Sequence, residues 1–237
     1  MPQTHHYLRA RSLAALALAG GMLVALPCMQ SCNIVTPAAY VLEGPGMIDA
    51  EYILLDRKTV VFVDDPRNIL PRTSLRTTIG DLISFDLMER KILTSTVATR
   101  DAIGVSRASG GVSADRLKSL EAIGRALDCA QVIQIQPTVF DVAGRSDTNG
   151  IRPTAIVRVK VIDVEARVRL YPVAEVLPEG REIIASIRES DPDSLRTRAG
   201  RAQAEEALAK VLAREIAELF YKHDRIDLGE NLGTRKQ

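Results

Sequence analysis

The sequence predicts a single α+β domain between residues 58 and 223: a mixed, mostly antiparallel sheet packed with about three helices. Three observations carry this. Thr59 to Val63 (TVVFV) is a short β-branched, wholly apolar run, suited to a strand buried on both faces. Thr154 to Asp163 alternates strictly, with Val157, Val159 and Val161 on one face and Arg158 and Lys160 on the other. Three segments, opening near Thr73, Ser113 and Ser194, repeat apolar residues at helical spacing.

In chain order, the first strand ends at Asp64-Asp65-Pro66, a turn signal. Thr73 or Ser74 then caps a helix whose stripe is Leu75, Ile79, Leu82, Ile83 and Leu87 or Met88. Leu93 to Thr99 suits a second strand, and Arg107 to Gly111, with Ser109-Gly110-Gly111, a loop. Ser113 with Asp115 starts the next helix, striped by Leu117, Leu120, Ile123 and Leu127. Ala130 to Gln136 is a strand. After the alternating strand, residues 165–180 extend into a short strand and a Pro-rich connection. Arg181 to Glu189 follows with Ile183, Ala185 and Ile187 inward. Ser194 to Lys222 is a long helix lined by Leu208, Leu212, Ile216 and Leu219, and residues 224–237 form a loose tail.

The passage EAIGRALDCAQVIQIQPTVF (Glu121 to Phe140), a helix running through Ile-Gly-x-x-Leu into an apolar strand, resembles one in periplasmic lipoproteins related to CsgG, LpoB and the N-terminal domain of TolB. TVVFVDD is similar to that family's first strand, VRVKVIDVEARV to its long strand, and the closing helix to its last one. The resemblance implies a TolB-N/CsgG-like fold. The segment from Arg100 to Ser113 is too short and too polar for a transmembrane hairpin, so a secretion channel is not implied.

The N-terminus has a different character. Arg9 and Arg11 precede an apolar run, Leu13 to Leu26, which Pro27 ends. That is the pattern of an export signal, with a short uncleaved anchor as the alternative. Cys28 and Cys32 follow at once. A zinc site would need two more ligands, and the only other cysteine is Cys129 and the only later histidine His223. A Cys28–Cys32 disulfide would close a tiny, strained loop. Met29-Gln30-Ser31-Cys32 resembles a bacterial lipobox, which marks Cys32 for acylation; ordinary signal cleavage nearby is the other reading. Each buried acyl CH₂ contributes about 0.8 kcal/mol, so two chains or more anchor stably. Asn33, in place of Asp, implies sorting to the outer membrane by the same likeness. Residues 1–31 are thus expected to be a lipoprotein signal and 32–57 a tether.

Charge narrows the partners. With Lys+Arg 31 against Asp+Glu 30, only 4% aromatic residues and no Trp, nothing marks the chain for nucleic acid. Asp64 and Asp65 at a strand end could serve as an acid/base pair, but no His or second acidic cluster accompanies them, and carboxylates commonly cap such turns. His223 suits a helix C-terminus and Cys129 a small buried site. Arg67, Arg72 and Arg76, and separately Arg196, Arg198 and Arg201, are modest basic groups that could face an acidic partner. No catalytic, cofactor or metal residue is expected. The function expected is that of a lipid-anchored, non-enzymatic interaction or regulatory module of the outer membrane or periplasm, with an unknown envelope partner and a possible homo-oligomer. The alternatives are a periplasmic enzyme using Asp64 and Asp65, and a secretion-accessory subunit.

Overall fold

The computed structural model describes residues 46–109, 116–147, 150–188 and 193–225. The leader, Cys28, Cys32, Gly110, Gly111, Ser113, Asp115 and most of the expected tail lie outside them. Two compact units are distinguished, and of Met1–Met47 with Asp224–Glu230 only residues 46, 47, 224 and 225 are described. The other unit, Ile48–His223, carries the sheet and its helices.

Its elements are β1 (Thr59–Val63), α1 (Ser74–Glu89), β2 (Thr96–Val97), α2 (Thr99–Ala108), α3 (Arg116–Ala126), β3 (Gln131–Asp147), β4 (Gly150–Asp163), β5 (Val168–Tyr171), β6 (Arg181–Ser186) and α4 (Arg198–Ala217). Six strands make one sheet in the order β2-β1-β3-β4-β5, with β6 also paired to β4. The α+β class and the mixed sheet agree with the sequence. Two details differ. The described residues contain four α-helices, and β1 runs parallel to both neighbours, β2 and β3, so two of the sheet's five pairings are parallel.

β1 explains the layering. All five of its residues are buried. Val61 and Val63 face one core with Leu75, Ile79, Ile83 and Leu87 of α1 and Leu208, Leu212 and Ile216 of α4. Val60 and Phe62 face a second core with Ala102 of α2 and Leu120 and Ile123 of α3. A strand with helices on both faces cannot alternate, hence the unbroken apolar run. β4 alternates up to Val161: Val157, Val159 and Val161 are buried while Arg158 and Lys160 are half-exposed, and at its end Ile162 is buried on the other face in the second core.

No helix is expected between Thr99 and the Arg107–Gly111 loop, yet α2 occupies that stretch. It is short and carries Gly104, a poor helix former, although its apolar residues are strongly one-sided. Tertiary contacts stabilise it: Asp81 of α1 accepts the Thr99 N–H at 3.2 Å, and Ala102 is wholly buried. Gly80 permits this junction, since a Cβ there would collide with the Thr99 side chain. β3 is also longer than expected. Pro137 cannot donate to the ladder, and the register to β4 shifts between Pro137 and Val139, where the Thr138 hydroxyl instead donates to Ile156 O at 3.0 Å.

The segment before β1 is fastened to the domain. Glu51 accepts two bonds from the Arg181 guanidinium, at 2.8 and 2.6 Å, and one from the Tyr171 hydroxyl at 2.8 Å. Tyr52 stacks on Tyr171 with centroids 5.1 Å apart, and Asp56 accepts the Thr94 N–H at 2.8 Å. The Arg181 donors hold the Glu51 carboxyl below its ordinary value of 4.5 against the opposing effect of partial burial. A depressed carboxylate stabilises the fold above the unfolded-state value and loses that contribution as pH falls through the folded one. Glu51→Gln is therefore expected to be less stable than the wild type at neutral pH, with the deficit shrinking below about pH 4.5. Denaturant unfolding of both proteins from pH 7 to pH 3 measures it, and a pH-independent deficit would contradict the assignment.

Candidate functional site

In sheets with parallel strands, ligands gather at the carboxyl ends, which makes the Asp64-Asp65 turn after β1 the first candidate. β1 delivers both carboxylates inward, and both residues are buried. Asp65 accepts the backbone N–H groups of Ile69 and Leu70 at 2.8 and 3.1 Å. Arg76 of α1 donates to its carboxylate at 3.3 Å and to its carbonyl at 2.9 Å, and binds Asn68 Oδ1 at 2.7 Å. Asp64 accepts from Gln134 Nε2 at 2.8 Å, and its own N–H donates to Ile135 O at 2.8 Å. These contacts close a turn and weld it to α1 and β3. A small depression of about 140 Å³ adjoins it, lined by Phe62, Asp64, Asp65, Arg76, Ser106 and Arg107.

The basic groups seen in sequence do not form one surface. Arg72 lies against Glu205 of α4 at 2.6 Å and also reaches the Ala202 carbonyl at 3.3 Å. With Arg76 on Asp65, only Arg67 of that trio is exposed. In the second trio, Arg196 pairs with Asp193 at 3.2 Å and Arg201 donates to Leu195 O at 3.1 Å. Arg67 instead joins Gln136, Arg158, Lys160, Pro178 and Glu179 around a polar trough of about 470 Å³ on the open face of the sheet.

The other singled-out residues have structural surroundings. Cys129 is buried, and burial pushes its thiol up to about 11, the opposite of what a nucleophile requires. His223 stands 3.6 Å from Glu218. The Ser109 hydroxyl donates to Val105 O at 2.9 Å at the end of α2. Among the described residues no group of three or more His, Cys, Asp or Glu is placed to hold a metal, and no helix is long and apolar enough to cross a membrane.

Two exposed features were not foreseen in the sequence. An apolar groove of about 600 Å³ runs between α1 and the edge strand β2, lined by Leu82, Phe85, Met88 and Val97 among others. Phe85 is 62% exposed, although its position on α1 conforms to no buried stripe. The second is the connection between β5 and β6, where Val173, Val176 and Leu177 are exposed. The signal available in sequence was apolar residues without period between Pro172 and Gly180.

No family model matches the chain, and no curated protein matches it. Solved structures do, at low identity. A hypothetical protein of Chlamydia trachomatis is 16% identical, with 68% of this chain and 93% of that one covered and a TM-score of 0.42. A lipoprotein of Neisseria meningitidis is 15% identical over 63% of this chain and 98% of its own, with a TM-score of 0.36. The C-terminal domain of LpoB from Salmonella enterica is 8% identical over 57% of this chain and 86% of its own, with a TM-score of 0.34. LpoB, one of the proteins the sequence resembles, is thus among the solved structures similar to this chain.

Proposed function

We propose that the chain is a lipid-anchored cell-envelope protein, held through Cys32 at the outer membrane and facing the periplasm. Its α+β domain acts as a non-enzymatic interaction module in the assembly or regulation of an envelope complex. The observation that carries the reading is the fate of Asp64 and Asp65. The one carboxylate pair the sequence offered for catalysis is committed to backbone N–H groups, Gln134 and Arg76. What the domain presents outward is apolar groove and loop.

The anchor is tested in cells. Wild type and Cys28→Ser are expected to incorporate a palmitate analogue and to sediment with membranes. Cys32→Ser is expected to lose the label and move to the soluble fraction. Labelled, membrane-bound Cys32→Ser would overturn the assignment of the acylated residue.

A further inference from the structure

We propose that the outer edge of β6 is a dimerisation surface: it pairs antiparallel with the same strand of a second copy of this chain, centred on Ile184, and joins the two sheets into one. The proposal goes beyond the interaction-module reading, and its failure leaves that reading standing.

Register fixes what the edge offers. β5 and β6 follow one another along one side of β4, with Tyr171 opposite Val161 and Arg181 opposite Val159, and the connection 172–180 leaves the sheet between them. Among the described residues β6 pairs with no strand but β4. The Ile187 N–H bonds Pro153 O at 3.1 Å, so strand alternation turns the backbone polar groups of Arg181, Ile183 and Ala185 to β4. Those of Glu182, Ile184 and Ser186 point to the outer edge. Of these, the Glu182 carbonyl accepts from Arg181 Nη1 at 3.2 Å and keeps a second lone pair. The connection 172–180 turns onto the open face, where Glu179 meets Arg158 at 2.9 Å, and Glu182, Ile184 and Ser186 all stay exposed.

The edge is unguarded. Natural sheets blunt their edges with very short strands, Pro, Lys or a bulge. The opposite edge, β2, is two residues long. β6 has six (REIIAS), without Pro, Gly or Lys, and its register to β4 runs through without a shift.

The edge is also self-complementary. Val139, Ile156 and Ile184 stand in one row across β3, β4 and β6 on the open face. Val139 is 38% exposed and Ile184, where the row meets the unpaired edge, 59%. A single exposed Ile is ordinary. A two-fold axis at Ile184 sets it against Ile184 of the second copy and carries the apolar row through both sheets. The same register lays Glu182 opposite Ser186 of the second copy, with the exposed Arg188 on the diagonal, so opposite rather than like charges approach. On the helix-covered face it lays Ile183 opposite Ala185. Centring on Glu182 would oppose two carboxylates. Isologous pairing of this kind closes at two chains.

The test uses the full chain, with wild type as the control for its native cysteines. Paired in this register, the two Ile184 Cα atoms lie about 5.5 Å apart, inside the roughly 4.4–6.8 Å span of disulfides. Ile184→Cys is expected to give a reducible dimer under mild oxidation that wild type does not give. Glu182→Cys and Ser186→Cys are each expected to give none alone, being offset from their own copies by about 13 Å, and to give one when produced together. Ile184→Lys is expected to weaken self-association, read by sedimentation, by about tenfold or more with an unchanged far-UV spectrum. Either a wild type that stays monomeric at every concentration tested or the absence of an Ile184→Cys dimer overturns the pairing. A dimer from Glu182→Cys alone overturns the register, and self-association insensitive to Ile184→Lys overturns this face as the contact. Disulfides from Ile184→Cys to a different protein overturn the second copy in favour of another chain's strand.

Discussion

Asp65→Ala is expected to destabilise the domain by about 3–5 kcal/mol, the range for removing one partner of a buried ion pair. The Asp65 side chain is fully buried, with Arg76 only 15% exposed beside it. Truncation would remove the side-chain acceptor of the Ile69 and Leu70 N–H groups and the carboxylate partner of Arg76, which would keep only the Asp65 carbonyl and Asn68 Oδ1. Each unsatisfied group carries a desolvation cost of about 1–3 kcal/mol. Asp65→Asn keeps one acceptor oxygen and is expected to lose less. Removing the charge as well, in Asp65→Ala with Arg76→Met, is expected to be less damaging than the sum of the single changes, because no lone cation remains buried. Denaturant unfolding of the wild type, the single variants and the double variant measures the coupling. An Asp65→Ala protein as stable as the wild type would contradict the structural role and return the acid pair to consideration as chemistry.

Leu212→Ala is expected to cost about 2–5 kcal/mol, whereas Leu212→Met costs under about 1.5 kcal/mol. Leu212 is fully buried on α4, within the larger core that α1, α4 and the sheet share. Packed backbone of both helices and the sheet surrounds it, so collapse around the void is limited and the cavity persists. The paired substitutions separate volume from chemistry, since Met fills similar space with a flexible chain. Equal losses for Ala and Met in denaturant unfolding would indicate that the packing shape, rather than the cavity, dominates.

The legible part of the fold is the local part. The α1 stripe and its start at Ser74 (where Thr73 forms no side-chain cap), the alternation of β4 and the apolar run of β1 all sit within windows of a few turns or one strand. Side-chain period reports burial directly there, so each was read from the residues. The proposed junction at Cys32 rests on the same kind of local signal, a positive segment, an apolar run and a small residue before cysteine, and lies outside the described residues.

Other features depended on contacts outside their own segment. α2 is amphipathic but short, and its seat depends on Asp81 and the space at Gly80. Parallel pairing of β1 with β3 joins residues about seventy positions apart, a choice made by the helices that cover both faces rather than by either strand. Asp65 was visible as a turn carboxylate, but its bond to Arg76 depends on how α1 lies over the end of β1.

By itself, then, the sequence determined which segments are apolar on one face, on both or on neither, and thereby the α+β class. Only the tertiary structure decided which strands are neighbours, where the two acids point, and that residues 172–180 leave a sheet edge that could have continued. Burial pattern is encoded in adjacent residues through the fixed periods of helix and strand. Register and partner choice depend on packing between distant segments, and no short window contains that information.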